Sequence, residues 1–420
     1  MAVLDAGPTL VESTHPDNLF RNTQFLRLWL GQTVSSVGSG IVKLAAPLLV
    51  LALDESTTLA GLVVGAMWFP MVILGLPAGA LIDRLDRRRV MVWCEIVRAT
   101  AVFSVPVAWG LGLLNAWHLL AVALALGSGQ SFYNVAQVAA LPRVVARRQI
   151  AAAQSLNTTS EGVSQLASPG LGGLIVGAAS TAVVGGVIAY GVNGLTFLVS
   201  IFALSGIRTP FQATRTKGEQ TALLRSIGEG LRYVWNERGV RLLMMLNCVH
   251  RFFFAPVMLT VVVIARQVFE LDPASIGLLF SAAGSGGLTA AAVTPWLRRR
   301  IPVGWHMIGI VTGHGLALLV VALASTVWLT ALGLFVAGLL ETMTGITQVS
   351  FRLALIPDAF QGRVNSVYRL LSFGAMSSGT VAAGICIDQF GATVVMLAIA
   401  LSIVVVGAAS GFTDIRTIRD

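Results

Sequence analysis

Apolar residues run in stretches of about twenty along almost the whole chain, each closed by a short polar gap, and a stretch of that length crosses the hydrocarbon core of a bilayer as one helix. The pattern predicts twelve transmembrane helices, at about 26–53, 58–82, 90–112, 117–140, 152–178, 183–206, 241–265, 274–296, 303–325, 327–352, 363–386 and 391–412. The fold class is therefore an all-α membrane protein of two six-helix halves. Residues 1–207 form the N-terminal half, 208–240 a cytoplasmic loop, and 241–420 the C-terminal half. Within the loop, Leu223, Leu224, Ile227, Leu231, Val234 and Trp235 recur at helical spacing, with Arg225, Glu229, Arg232 and Glu237 between them. That spacing predicts an amphipathic helix along the membrane surface. The polar start, MAVLDAGPTLVESTHPDN, lacks the charged and apolar regions of a signal peptide, so the first apolar stretch is expected to be a retained helix.

Charge then sets orientation. Only 11% of the 420 residues are charged, about half of what a soluble chain carries, yet the net charge is +9. The arginines gather in alternate gaps: Arg84, Arg87, Arg88 and Arg89; Arg143, Arg147 and Arg148; Arg298, Arg299 and Arg300. The opposite gaps hold Asp54, Glu55, Glu270 and Asp272, with Arg266 as the exception. The positive-inside rule places both termini in the cytoplasm, in a multi-pass protein of the cell (inner) membrane. No basic domain is left over for nucleic acid. Cys94, Cys248 and Cys386 form no CxxC pair, and His15, His118, His250, His306 and His314 show no ligand spacing, so no metal and no cofactor is expected.

The halves are alike. QSFYNVAQVAALPRVV at the end of the fourth helix parallels TGITQVSFRLALIPDAF at the end of the tenth, with Leu141-Pro142 matching Ile356-Pro357. Between the second and third helices stand Gly79, Leu81, Asp83, Arg84, Arg87 and Arg88. Here the chain resembles the signature loop of the major facilitator superfamily, G-x-L-x-D-R-x-G-R-K/R, departing from it at Asp86. Leu141-Pro142, Gln154-Ser155-Leu156-Asn157, Gly230-Leu231-Arg232-Tyr233 and Gly362-Arg363-Val364 carry a resemblance to the branch of enterobactin exporters and macrolide efflux proteins. Pro169, Gly172 and Gly173 resemble the end of the P-x-x-G-G antiporter motif, although Ser164 and Ser168 stand where its earlier glycines belong. The arginine that many proton-coupled members carry in the fourth helix is absent. The resemblance implies the major facilitator fold, alternating access, and a cavity lined by helices 1, 4, 7 and 10, with 2, 5, 8 and 11 beside them. It also implies that the signature loop, which Glu95 and Arg98 are expected to join, closes the cytoplasmic side.

Charges inside a bilayer are expensive and mark function by default. Lys43, Glu161, Arg251 and Glu341 all fall on helices expected to line the cavity. Glu341 lies mid-helix and is the leading candidate for proton coupling or substrate binding, set against a permanent pair with Lys43 or Arg251. Lys43 can pair with a carboxylate or attract an anion. His250, beside Arg251, is a candidate protonation switch. Tyr133, Asn134 and Gln137 read as a polar face on the fourth helix.

These readings predict a secondary transporter, not an enzyme: proton-coupled efflux of a small hydrophobic or amphipathic compound such as a drug, siderophore or secondary metabolite. The expected partners are that substrate, protons and the bilayer, and the expected state is a monomer. An uptake permease of the same fold and a non-transporting membrane sensor are the alternatives. An ATP-driven pump is not, because Lys43 and Lys217 are the only lysines and neither sits in a G-x-x-x-x-G-K-[ST] loop. The topology has a direct check. In intact cells a Lys217→Cys variant without the native cysteines is expected to resist an impermeant maleimide until the membrane is opened; prompt labelling would reject the orientation.

Overall fold

The computed structural model of the chain describes residues 18–82, 85–207, 211 and 223–413. Among these the regular elements are helices, without a strand. In the first half they are α1 (Thr23–Leu53), α2 (Thr57–Ala66), α3 (Phe69–Ile82), α4 (Arg87–Gly110), α5 (Ala116–Val144), α6 (Ile150–Gly177) and α7 (Ala182–Ser205). Then come α8 (Leu223–Asn236), α9 (Arg238–Phe254), α10 (Val257–Gln267), α11 (Pro273–Arg298), α12 (Val303–Leu323), α13 (Val327–Leu355), α14 (Asp358–Phe390) and α15 (Ala392–Ser410). Eleven spans among the described residues are long and apolar enough to cross a membrane. Helix α6, with 28 residues, is about 42 Å long at 1.5 Å per residue and packs as a further rod against α1, α7 and α11. Its polar side chains keep it off the apolar count, for a reason that emerges at the site.

The elements start where the sequence supplies caps. Asn22, Ser56, Asp86, Asn115, Thr181, Asp272 and Thr326 each accept a backbone N–H at the start of α1, α2, α4, α5, α7, α11 and α13. Asp86, the departure in the signature loop, thus closes α4 through the N–H of Arg89 at 3.0 Å. Outside the membrane, the Ser275 hydroxyl and the first N–H groups of α11 hold Asp272 below the usual carboxylate range.

Two of the expected helices are each broken once. The stretch 58–82 divides into α2 and α3 around Met67 and Trp68, where i→i−3 bonds to Val64 and Gly65 replace the regular ladder. The stretch 241–265 divides into α9 and α10 at Ala255 and Pro256. Pro70 and Pro256 remove a donor and push on the preceding turn, which tightens or bends the helix. The amphipathic helix forms as α8. It packs on the start of α14: Tyr233 stacks on Phe360 with centroids 4.6 Å apart, the backbone of Arg363 abuts Gly230, and the Arg363 guanidinium meets Glu229 at 3.1 Å.

Two glycine seams join the helices of the first six-helix set to those of the second. In one, Gly61 of α2 faces Gly384 of α14 so closely that a Cβ on Gly61 would stand 2.9 Å from the Gly384 Cα. In the other, a Cβ on Gly173 of α6 would stand 2.5 Å from the Gly277 Cα of α11. Lipid offers no hydrophobic drive to pair helices, so close backbone approach through small residues supplies the contact. A carboxylate reinforces the first seam. Asp388 of α14 accepts the Thr57 N–H at 3.0 Å, the Thr57 hydroxyl at 2.6 Å and the Thr58 N–H at 2.9 Å. The start of α2 is thereby capped from across the seam, where the helix dipole favours negative charge. Both seams lie at the end of the bundle that carries the 54–56 and 268–272 turns.

If these seams close that end, weakening either should open it. Asp388→Ala and Gly173→Leu are each expected to speed labelling, from the 54–56 side, of a cysteine placed at Phe373 just beneath the first seam. The expected rise is at least about fivefold, the effect of roughly 1 kcal/mol on a two-state equilibrium. Unchanged labelling rates would show that the seams do not hold the end shut.

Candidate functional site

The first polar system belongs to α1, α5 and α6. Glu161 accepts a hydrogen bond from Gln32 Nε2 at 2.9 Å, and Gln32 accepts one from Gln137 Nε2, so a chain of polar groups runs from α5 through α1 to α6. Glu161 is not isolated on its helix. Gln154, Thr158, Glu161 and Gln165 recur at i, i+4, i+7 and i+11, and all four are exposed. An exposed polar stripe on a membrane helix suits water rather than lipid. The same stripe explains the lower apolar content of α6. Lys43 lies eleven residues past Gln32 on α1, three turns along the same face. Its ammonium stands 5.5 Å from the Trp68 ring centroid, within electrostatic reach of Glu161. Trp68 in turn stacks on Phe373 of α14, centroids 5.9 Å apart, beneath the first seam.

The second polar system belongs to α9, α12 and α13. The Arg251 guanidinium donates to Glu341 Oε1 at 2.8 Å. Glu341 Oε2 accepts no hydrogen bond and points between two imidazoles, 3.7 Å from His250 Nε2 and 3.8 Å from His314 Nδ1. Those two nitrogens are 3.0 Å apart, and both histidines are fully buried. The sequence spacing of the histidines gave no sign of this pair. His250 and His314 are 64 residues apart in the chain, and only the packing of α12 against α13 and α9 brings the rings together. The Phe254 ring flanks both, with centroids 5.9 Å and 5.2 Å away. Nearby, the Tyr368 hydroxyl lies 3.0 Å from both Asn247 Oδ1 and Gln348 Oε1, and Arg352 covers the Tyr368 ring at 3.6 Å. These four residues line a cleft at the α8 end of the second half. Sequence reasoning missed them and His314; for Thr158 and Gln165 the i, i+4, i+7, i+11 spacing was the available signal.

Other expected groupings change. Tyr133 and Gln137, one turn apart on α5, are both buried, and Asn134 between them is half-buried. Gln137 turns to Gln32, Asn134 pairs with Gln130 one turn back, and the Tyr133 ring centroid stands 6.0 Å from the Arg98 guanidinium. Consecutive residues on a helix point about 100° apart, which is why Tyr133 and Asn134 separate. Glu95 and Arg98 do not lie at a surface of the bundle. They are fully buried inside the first half, two turns and more along α4 from Arg87. Glu95 accepts from Ser35 at 3.2 Å and Ser200 at 3.1 Å; Arg98 pairs with Glu95 at 3.5 Å, donates to Ser39 at 2.9 Å and lies over Phe197 at 4.3 Å. Asp83 and Arg84 fall outside the described residues. Arg87 donates to the Ala139 and Phe211 carbonyls and Arg88 to those of Leu204 and Ser205, so both tie α4 to neighbouring helix ends. Gly79 has open space where a Cβ would stand. Gly172 lets α6 approach the Ile41 carbonyl of α1, and the Pro169 carbonyl and Gly173 form the seam with Gly277.

The chain matches the family model described as transmembrane secretion effector over residues 15–420. The multidrug efflux pump Tap of Mycobacterium tuberculosis (strain ATCC 25618 / H37Rv) is 30% identical over 405 residues, covering 93% of each chain. Macrolide efflux protein A of Streptococcus pyogenes is 23% identical over 268 residues, 63% of this chain and 64% of the relative. Among solved structures, an inward-facing, unoccupied bacterial homologue of the human lysosomal transporter Spinster superposes with a TM-score of 0.79 at 14% identity, covering 96% of this chain and 98% of that one. That likeness is one of fold.

The Arg251–Glu341 pair yields a stability prediction. Arg251→Met leaves a largely buried carboxylate without its cation, a change that typically costs about 3 kcal/mol. The variant is expected to melt at a lower temperature in detergent, and Arg251→Met with Glu341→Gln is expected to recover most of the loss. A single variant that melts like wild type would show the pair contributes nothing to the fold.

Proposed function

Because the chain belongs to the transmembrane secretion effector family of major facilitator transporters, we propose that it is a proton-driven exporter of small hydrophobic or amphipathic compounds, with Glu161 as the exchanging carboxylate. The observation that carries this reading is the exposed polar stripe of α6 with Glu161 at its centre, opposite Lys43 and below the Trp68–Phe373 stack. The end bearing the 54–56 and 268–272 turns is sealed by the glycine seams, so a cleft along that stripe opens toward the α8 end. The arginine distribution supports a cytoplasmic α8 end, with both termini, and with it an inward-facing state.

In that state Glu161 meets cytoplasmic water, and its ordered partner is the neutral Gln32 amide. A carboxylate held this way exchanges a proton without first breaking an ion pair. Entry of an amphipathic compound places its apolar body on Trp68 and Phe373 and its polar end between Glu161 and Lys43, where it competes with the proton. Parting of the two seams then exposes the loaded site to the far side, and a proton taken up there resets the transporter. The names of the relatives, a multidrug and a macrolide efflux pump, support export and a broad apolar substrate class. Glu341 has a different setting, since Arg251 already holds one of its oxygens.

Glu161→Gln keeps the shape and the hydrogen-bonding capacity of the side chain while removing the proton site. In proteoliposomes with an imposed proton gradient, the variant is expected to lose gradient-driven efflux of a macrolide or a dye while still binding it. Wild-type flux that stays sensitive to a protonophore in Glu161→Gln would refute the assignment.

A further inference from the structure

We propose that His250, His314 and Glu341 form a binding site for a divalent first-row transition metal ion, with Zn²⁺ the best match. The donor atoms His250 Nε2, His314 Nδ1 and Glu341 Oε2 all lie within 4.8 Å of one another and come from three helices, α9, α12 and α13. Their separations are 3.0, 3.7 and 3.8 Å. The point equidistant from all three lies in their plane about 2.0 Å from each, the length of a Zn–N or Zn–O bond, and drawing the two longer separations in by about half an ångström lifts an ion out of that plane toward a tetrahedral position. Two imidazoles and one carboxylate leave a tetrahedral ion one open position, the donor set of sites that keep a water or a substrate as fourth ligand. That position has an approach. The Glu341 side chain retains 17% of its exposure and Arg251 20%, whereas the two imidazoles have none.

The surroundings orient the donors. Arg251 binds Oε1 of Glu341 and so aims Oε2 at the imidazoles, the part that outer-shell partners play at metal centres. The Phe254 ring fixes both imidazole planes. The opposing term is charge. Arg251 already neutralises Glu341, so an ion would leave the cluster positive within the bilayer, and the affinity falls below that of a thiolate site. Soft, imidazole-preferring ions tolerate this better than Mg²⁺ or Ca²⁺, which demand more oxygen donors. A bound ion would tie α9, α12 and α13 together and stiffen the second half. The site is separate from Glu161, and the inference does not rest on the export reading.

The test uses the purified full-length chain in detergent, stripped with chelator and titrated with Co²⁺ and Zn²⁺. Wild type is expected to bind one Co²⁺ per chain with the visible bands of a tetrahedral centre, to exchange it for Zn²⁺, and to melt at a higher temperature with Zn²⁺ but not with Mg²⁺. His314→Gln and His250→Gln are expected to lose at least about tenfold in Co²⁺ affinity, while His118→Gln, a histidine outside the cluster, binds as wild type does. His314→Cys retains a ligand and should add a strong thiolate-to-cobalt charge-transfer band in the near ultraviolet. That band also decides the question if the glutamine variants fail to fold. Octahedral spectra in wild type, undiminished binding in His250→Gln or His314→Gln, or a His314→Cys protein without the charge-transfer band would each overturn the site.

Discussion

The hydrocarbon core contains no water to satisfy a polar group, and most of this structure follows from that constraint. Most of the charged residues described within the spans are paired or hydrogen-bonded inside the protein. Glu95 and Arg98 could not persist inside the first half without the hydroxyls of Ser35, Ser39 and Ser200 around them. Arg251 and Glu341 answer one another in the second half. The stripe from Gln154 to Gln165 is exposed, and exposed polar groups on a membrane helix are tolerated against water far better than against lipid. A charged residue in such a chain therefore reports on its surroundings before any partner is known.

The same constraint shapes the joint between the halves. Two surfaces that must part during transport cannot rely on burying large apolar side chains, since lipid would solvate those equally well. Gly61 against Gly384 and Gly173 against Gly277 bring backbones into contact with little side-chain entropy to lose. Asp388 adds hydrogen bonds to the exposed start of α2, where water can replace it when the seam opens. The closed end is thus held by contacts that are individually modest and readily exchanged.

The two cavity-side carboxylates sit in contrasting electrostatic settings. Glu161 meets an amide and a cleft; Glu341 meets a guanidinium and two imidazoles. The first suits exchange with solvent, and the second suits a fixed centre with an open coordination position. The sequence pattern concealed this difference, because periodicity gives depth along a helix but not the identity of what stands opposite.

Helical spans, the gaps between them and the alternation of arginine-rich gaps were legible in the sequence. They arise from local rules: twenty apolar residues to cross a bilayer, and arginine between spans. Glu341 and Arg251 were recognisable as isolated charges for the same reason, and Arg251 was among the partners their depths allowed. The choice of Arg251 over Lys43, the meeting of His250 with His314, the seating of α8 on α14 and the grip of Asp388 on Thr57 were decided only by the tertiary structure. These contacts join residues 64 to 331 positions apart. Helix period fixes which face of a rod a residue occupies, whereas the neighbour across that face depends on how the rods pack, a property no single stretch of sequence contains.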